Sequence, residues 1–186
     1  MKEKKEKIVF QGKIIEIVEE TVKKNGKEII YEKARRSPGV RIIIETPEGN
    51  FILNKEKRHE LKSVDIRLPG GKVFDHLKDY NAFLDGEGDI VVKAQETARL
   101  EALQEAGIKI LHIEYLTTSH CGATVDWDLF YFLVKDYEKV GQQPEEDEEI
   151  ENIEVSREEL KNLALSGQIQ EDRSVAVILK YLNRKN

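Results

Sequence analysis

The order of apolar patterns constrains this chain more than any other feature. Short β-rich runs closed by turn signals alternate with only three stretches of helical spacing. Two β-rich segments fall between Ile8 and Val22, an Asn25-Gly26 turn signal follows, and Ile29 to Arg36 reads as the returning strand. The run before them, residues 1–7, is lysine and glutamate and reads as a frayed tail. Ser37-Pro38-Gly39 then punctuates a boundary between an N-terminal β-rich segment, residues 1–36, and a main domain, residues 37–186. In that domain "VRIIIET" and "NFILNKE" form a second hairpin around "PEG", and "DIRLPGGKV" is a short strand that runs into a glycine turn. Residues 74–88 are polar with scattered aromatics and read as a long surface excursion. A helix is expected from about Ile90 to Ala106, stopped by Gly107. "IKILHIEYL", "DWDLFYFLVKDY" and "IEV" are strands, and an acidic loop, "GQQPEEDEEIEN", precedes the last of them. Ser156 and Glu159 have capping-box spacing and open a helix to about Leu165, and "DRSVAVILKYLNRK" is a final helix. Strands mixed with three helices predict a layered α/β or α+β fold.

Length and charge bound the function. At 186 residues the chain suits one domain with room for a small accessory piece, and its net charge of −6 argues against a general nucleic-acid surface. No apolar run approaches the ~20 residues that span a bilayer, and "MKEKKEK" has no apolar signal region. The lone cysteine, Cys121, permits no internal disulfide and suits a reducing cytosol, so a cytoplasmic protein is expected. No glycine-rich turn fits a Walker or dinucleotide fingerprint. Asp85 to Glu96 has acids at calcium-loop spacing, but Ile90 stands where that loop needs glycine.

The chemistry centres on "TARLEALQEAGIKI", residues 97–110. Glu101 and Glu105 lie four residues apart and share a helix face with Ala94 and Ala98, while Leu100 and Leu103 are expected to point the other way, into a core. Hard cations such as Mg²⁺ take oxygen ligands, a few carboxylates plus water and phosphate oxygens. A glycine-rich turn, "RLPGGK" at 67–72, could add a backbone carbonyl and let phosphates approach closely. Without such a context, the same glutamates would be a solvated helix face.

These residues resemble the Nudix hydrolases, whose box reads G-x5-E-x7-R-E-U-x-E-E-x-G-U, with U a bulky aliphatic. "LPGGK" is similar to its start and "LEALQEAGI", residues 100–108, to its end. The match puts Glu101 and Glu105 on the family's principal Mg²⁺ ligands and Gly107-Ile108 on the closing pair. Leu100 stands where the box has arginine, Gln104 where it has the first glutamate of E-E, and Ala102 where it has the bulky aliphatic. Twenty-eight residues separate Gly71 from Leu100, more than the box allows. No box glutamate can therefore be placed by spacing, and Glu87 is a candidate by composition alone.

Beyond the box, the chain resembles the ADP-ribose pyrophosphatase and nucleoside-diphosphate-sugar hydrolase branch. "RSPGV" at 36–40 is similar to its R-x-P-G-A-V, and "KEKRH" at 55–59 to its R-Q-Y-R-H, which marks Arg36 and Arg58 as candidate substrate contacts. "EEDEEI" at 145–150 is similar to a loop that supplies the catalytic glutamate, and it puts Glu146 and Glu148 on those positions, Glu148 preferred. A proline-containing sugar loop is replaced by "TSHCGATVDWD", 118–128, where His120, Cys121 and Trp127 fall. Trp127 is expected to pack, with substrate stacking as its other reading.

The resemblance implies a Nudix-type α/β/α sandwich with a mixed sheet, preceded by a small N-terminal antiparallel subdomain that helps build a homodimer. It implies Mg²⁺- or Mn²⁺-dependent hydrolysis of a nucleoside diphosphate linked to another group. Metal ligation would fall to Glu101, Glu105 and the Gly70 carbonyl, and catalysis to Glu105, Glu146 and Glu148. Residues 74–88 become an insertion beside the pocket. The rival expectation is a Nudix-fold domain that binds a nucleotide-like ligand without hydrolysing it; a third is a hydrolase of another diphosphate, such as a dinucleoside polyphosphate.

Overall fold

The computed structural model describes residues 5–58, 63–143 and 149–184. Three strands, β1 (Lys5–Gln11), β2 (Glu16–Lys24) and β3 (Lys27–Arg35), form an antiparallel meander. Asn25 and Gly26 take positive φ, 52° and 76°, as a two-residue hairpin turn between β2 and β3 requires. Lys5 to Lys7 of the run expected to fray belong to β1, where Lys5 pairs with Thr21.

The larger sheet is built from β4 (Gly39–Glu45), β5 (Phe51–Arg58), β6 (Ser63–Arg67), β7 (Ile108–Ser119), β9 (Leu129–Lys139) and β10 (Ile150–Val155), in the order β10-β5-β4-β9-β7 with β6 on β5. It is mixed: β4 and β9 run parallel, and the other pairs are antiparallel. A two-residue strand, β8 (Val125–Asp126), pairs in parallel with Ala34 and Arg35 of β3. It makes the small sheet mixed rather than purely antiparallel and ties the 118–128 loop to it.

Alternation along β4 and β9 sorts side chains to two faces. Val40, Ile42, Ile44, Phe130, Phe132 and Val134 pack with Ala94, Ala98 and Ala102 of α2 (Ile90–Gln104). Ile43, Leu129, Tyr131 and Leu133 pack with Leu160 and Leu163 of α3 (Arg157–Leu165) and with Val177 and Ile178 of α4 (Asp172–Leu182). Helices thus cover both faces of the sheet, giving an α/β/α sandwich.

Two local expectations change. Residues 74–88 are not a bare excursion: they hold a helix, α1 (Leu77–Leu84). Leu77 and Tyr80 are buried, and Phe74 stacks at 5.5 Å on Tyr80 and 5.2 Å on Phe83. Asn81 of α1 donates to Glu16 Oε2 at 3.0 Å, so the insertion docks on the small sheet. Second, Leu100 is 53% exposed, and the face of α2 that meets the sheet is the one carrying its alanines. Small side chains there let the helix lie close to the sheet, which puts the glutamates at the end of the same face on the interior side.

Candidate active site

The site grows from a gap in the larger sheet. β4 pairs with β5 only at Ile44–Ile52 and Glu45–Phe51. Where the two strands part, β5 pairs with β6, and the chain leaving β6 takes over β4: Ile42 N–H donates to Pro69 O and Val40 N–H to Gly71 O, each at 2.9 Å. The "LPGGK" turn is wedged into this fork. Gly70 has φ 142°, and a Cβ there would lie 2.2 Å from the Val40 carbonyl oxygen, so only glycine fits.

α2 enters with Asp89 at its N-cap, whose Oδ1 accepts from Val91 N–H at 2.8 Å, and ends above the glycine turn. Glu105, 7% exposed, accepts from Gly70 N–H at 2.6 Å and from Asn54 Nδ2 at 2.9 Å, both on Oε2. Glu101 lies against Gly71: a Cβ on that glycine would stand 1.9 Å from Glu101 Oε1. Glycine at 71 is therefore a cradle for a carboxylate. Gly107, at φ 65°, closes the helix as expected, and Gln142 Nε2 donates to the Glu105 carbonyl at 2.6 Å.

Glu101, Gln104, Glu105, Gly70 and Gly71 line a cavity of about 350 Å³ together with Arg36, Arg41, Glu56, Arg67, Lys72 and Trp127. Five of the site residues expected from sequence, Glu101, Glu105, Gly70, Arg36 and Trp127, thus meet in one space. Arg58 closes β5, where its backbone pairs with Ser63; its side chain lies outside the described set. Glu146 and Glu148 lie outside the described residues. The chain leaves for that segment from Gln143, whose N–H donates to Gln104 O at 3.0 Å, and returns at Ile150, paired with Glu56. His120 is exposed and hydrogen-bonded through Nδ1 to Asp128 at 2.6 Å, outside the cavity lining, and Cys121 is exposed. Glu87 is exposed in the turn before α2 and lines nothing here.

The cavity is electrically divided. The α2 end is acidic. Beside it stands an arginine cluster, Arg36, Arg41 and Arg173, of which the sequence marked only Arg36. Buried Arg41 donates from Nη1 to Gly70 O at 3.1 Å and from Nε to Glu171 at 3.1 Å; Glu171 also holds Arg173 at 3.1 Å. Arg173 donates to Trp127 O at 2.7 Å, and the guanidinium carbons of Arg173 and Arg36 both lie 4.2 Å from the centre of the Trp127 ring. The indole's π system attracts cations and draws both guanidinium groups to the one ring. Burial pushes Arg36 below its ordinary value, and the neighbouring Arg173 and Arg41 push it the same way. Trp127 is thus an arginine organiser.

Among the described residues no group of three or more His, Cys, Asp and Glu side chains is arranged to hold a metal ion. The two carboxylates and the Gly70 carbonyl are all oxygen donors, the set a hard divalent cation takes when water and phosphate oxygens fill its remaining positions. A carbonyl oxygen has two lone pairs, so the Arg41 contact leaves Gly70 a second. The residues fit Mg²⁺ or Mn²⁺ with the substrate's help.

No family model matches the chain, and no curated protein matches it in sequence. Among solved structures it is similar to a crystal structure of an "ADP compounds hydrolase", with a TM-score of 0.67 and 15% identity over 94% of this chain and 88% of that one. The likeness establishes the fold: a Nudix-like α/β/α sandwich with a mixed sheet.

Proposed function

We propose that this chain hydrolyses, with Mg²⁺ or Mn²⁺, a nucleoside diphosphate linked to a second group, giving a nucleoside monophosphate and a phosphorylated product. The observation that carries the reading is the convergence of Glu101 and Glu105 on the Gly70-Gly71 turn in a cavity also lined by Arg36, Arg41 and Arg67. The solved structure similar in fold is named for hydrolysis of ADP compounds, which supports this class of substrate.

In this reading Glu101, Glu105 and the Gly70 carbonyl hold the cation. Bound there, a divalent ion neutralises phosphate charge and makes a water more acidic. The glycines make room for the Val40 backbone and the Glu101 carboxylate, which brings both glutamates onto the turn. Arg36, held over Trp127, and Arg58 contact phosphate; a guanidinium suits a phosphate's paired oxygens. Glu148, or Glu146, accepts the water's proton. The water oxygen bonds to one phosphorus, the bridging P–O bond breaks, and its electron pair leaves on the second phosphate.

The small sheet is the surface this reading assigns to a homodimer: Phe10 and Ile30, each 59% exposed, share the face of Ile17 and Thr21, their cross-strand partners. No helix among the described residues is long and apolar enough to cross a membrane.

A second reading, ligand binding without hydrolysis, draws on the exposure of Leu100, which cannot brace the glutamates, and on Gln104 beside them. A panel of ADP-ribose, nucleoside-diphosphate sugars and dinucleoside polyphosphates, each with Mg²⁺ or Mn²⁺, separates the two. Release of a nucleoside monophosphate supports the enzyme. Thermal stabilisation by a compound that is never cut supports the binding module.

A further inference from the structure

We infer that Asn54 is the positioning residue for Glu105, an uncharged brace that aims the carboxylate at the cation site from the middle of β5. The inference rests on the metal-binding reading above.

Asn54 sits where the pattern of β5 calls for an apolar side chain. Ile52 belongs to the core on the α2 side of the sheet and Leu53 to the core on the other, so strand alternation returns residue 54 to the α2 side. It is 1% exposed, and its strand pairs with Asn152 on one side and Arg67 on the other. Burying an amide costs free energy unless both its ends are hydrogen-bonded. Here Nδ2 is satisfied by Glu105 Oε2 at 2.9 Å, while Oδ1 is buried with no hydrogen-bond partner among the described residues. A branched aliphatic residue would suit that slot better for stability. What the amide adds is the bond to Glu105.

The chemistry of that bond matches the task. Only the NH₂ end of an amide can face a carboxylate. Two uncharged donors, Asn54 Nδ2 and Gly70 N–H, converge on the same oxygen from different elements, which fixes the carboxylate plane. Leu100 supplies no comparable contact, being exposed on the other side of α2.

The test is Mn²⁺ binding, followed by loss of the free-ion electron paramagnetic resonance signal, in the wild type, Asn54→Leu, Glu105→Gln and the double variant, with melting temperatures alongside. Asn54→Leu should weaken Mn²⁺ binding roughly 10–100-fold, as loss of a ligand-orienting partner does, and leave the melting temperature unchanged or higher. In the Glu105→Gln background the same change should have no further effect on Mn²⁺. Wild-type affinity in Asn54→Leu, or a loss that simply adds to that of Glu105→Gln, overturns the inference and leaves the metal site standing. A wild-type protein that binds no Mn²⁺ overturns the metal reading itself, and the inference with it. Should Asn54→Leu fail to fold, Asn54→Ser, smaller and lacking the amide, is read by the same criteria.

Discussion

At the scale of single residues, the spacing of Glu101 and Glu105 was enough to place two carboxylates on one face of a helix, and "LPGG" upstream was enough to suggest what they lie against. The structure puts Glu101 on Gly71 and Glu105 on the Gly70 N–H. A methyl group at 71 has nowhere to go but into the Glu101 carboxylate. Gly71→Ala is therefore expected to lower cation-dependent turnover by about 10-fold or more, the scale of a displaced metal ligand, with the fold intact by circular dichroism; full activity would remove Glu101 from the site. Asn54, Arg41 and Glu171 could not have been read this way. Asn54 and Glu105 are 51 residues apart, and Arg41 and Glu171 are 130 apart, so each pairing is made by the fork in the sheet and the packing of α4, not by local pattern. Leu100 misled because an amphipathic reading puts leucines inward, whereas here the alanines win the interior by allowing close approach.

At the scale of elements, strands and the last three helices were legible from alternation, glycine stops and caps: Ser156 Oγ accepts from Glu159 N–H at 3.2 Å, as the capping-box spacing implies. α1 was not, because it is only eight residues long and its Tyr80 and Phe83 pack on Phe74 just ahead of the helix, a contact that helical spacing does not announce. The small sheet hides Glu16, 0% exposed, which Arg35 Nη1 reaches at 3.3 Å while Asn81 and Gln11 donate to its other oxygen. Removing the cation leaves a carboxylate stranded in the interior. Arg35→Met should destabilise the protein by about 3–5 kcal/mol, as breaking a buried pair does, measured by urea unfolding; a change below about 1 kcal/mol would show the pair to be solvent-screened. Asp89→Ala, which strips the N-cap of α2, should cost about 1 kcal/mol with the same readout.

At the scale of the whole molecule, the order of strand and helix patterns reached only a layered α/β or α+β fold; the sandwich was implied by the resemblance of "LPGGK", "LEALQEAGI" and their flanking motifs. The junction between the two sheets was not. It depends on β8, two residues long, whose pairing with β3 carries no signal beyond Val125-Asp126. Phe10 and Ile30 are exposed on one face of the small sheet, the face proposed to be covered in a dimer. Phe10→Glu with Ile30→Glu should convert a dimer into a monomer by light scattering, with an unchanged circular dichroism spectrum; a wild type already monomeric at micromolar concentration would retire the dimer.

The central claim is that Glu101 and Glu105 hold a cation that cuts a diphosphate, and its most direct measurement is steady-state turnover of the best panel substrate, with and without Mg²⁺, for the wild type and Glu105→Gln. Turnover that needs Mg²⁺ and falls at least about 100-fold in Glu105→Gln, in the range that loss of an essential charged group at a reacting centre produces, is the predicted result. Turnover that survives chelation of the metal, or a Glu105→Gln variant as fast as the wild type, would contradict it.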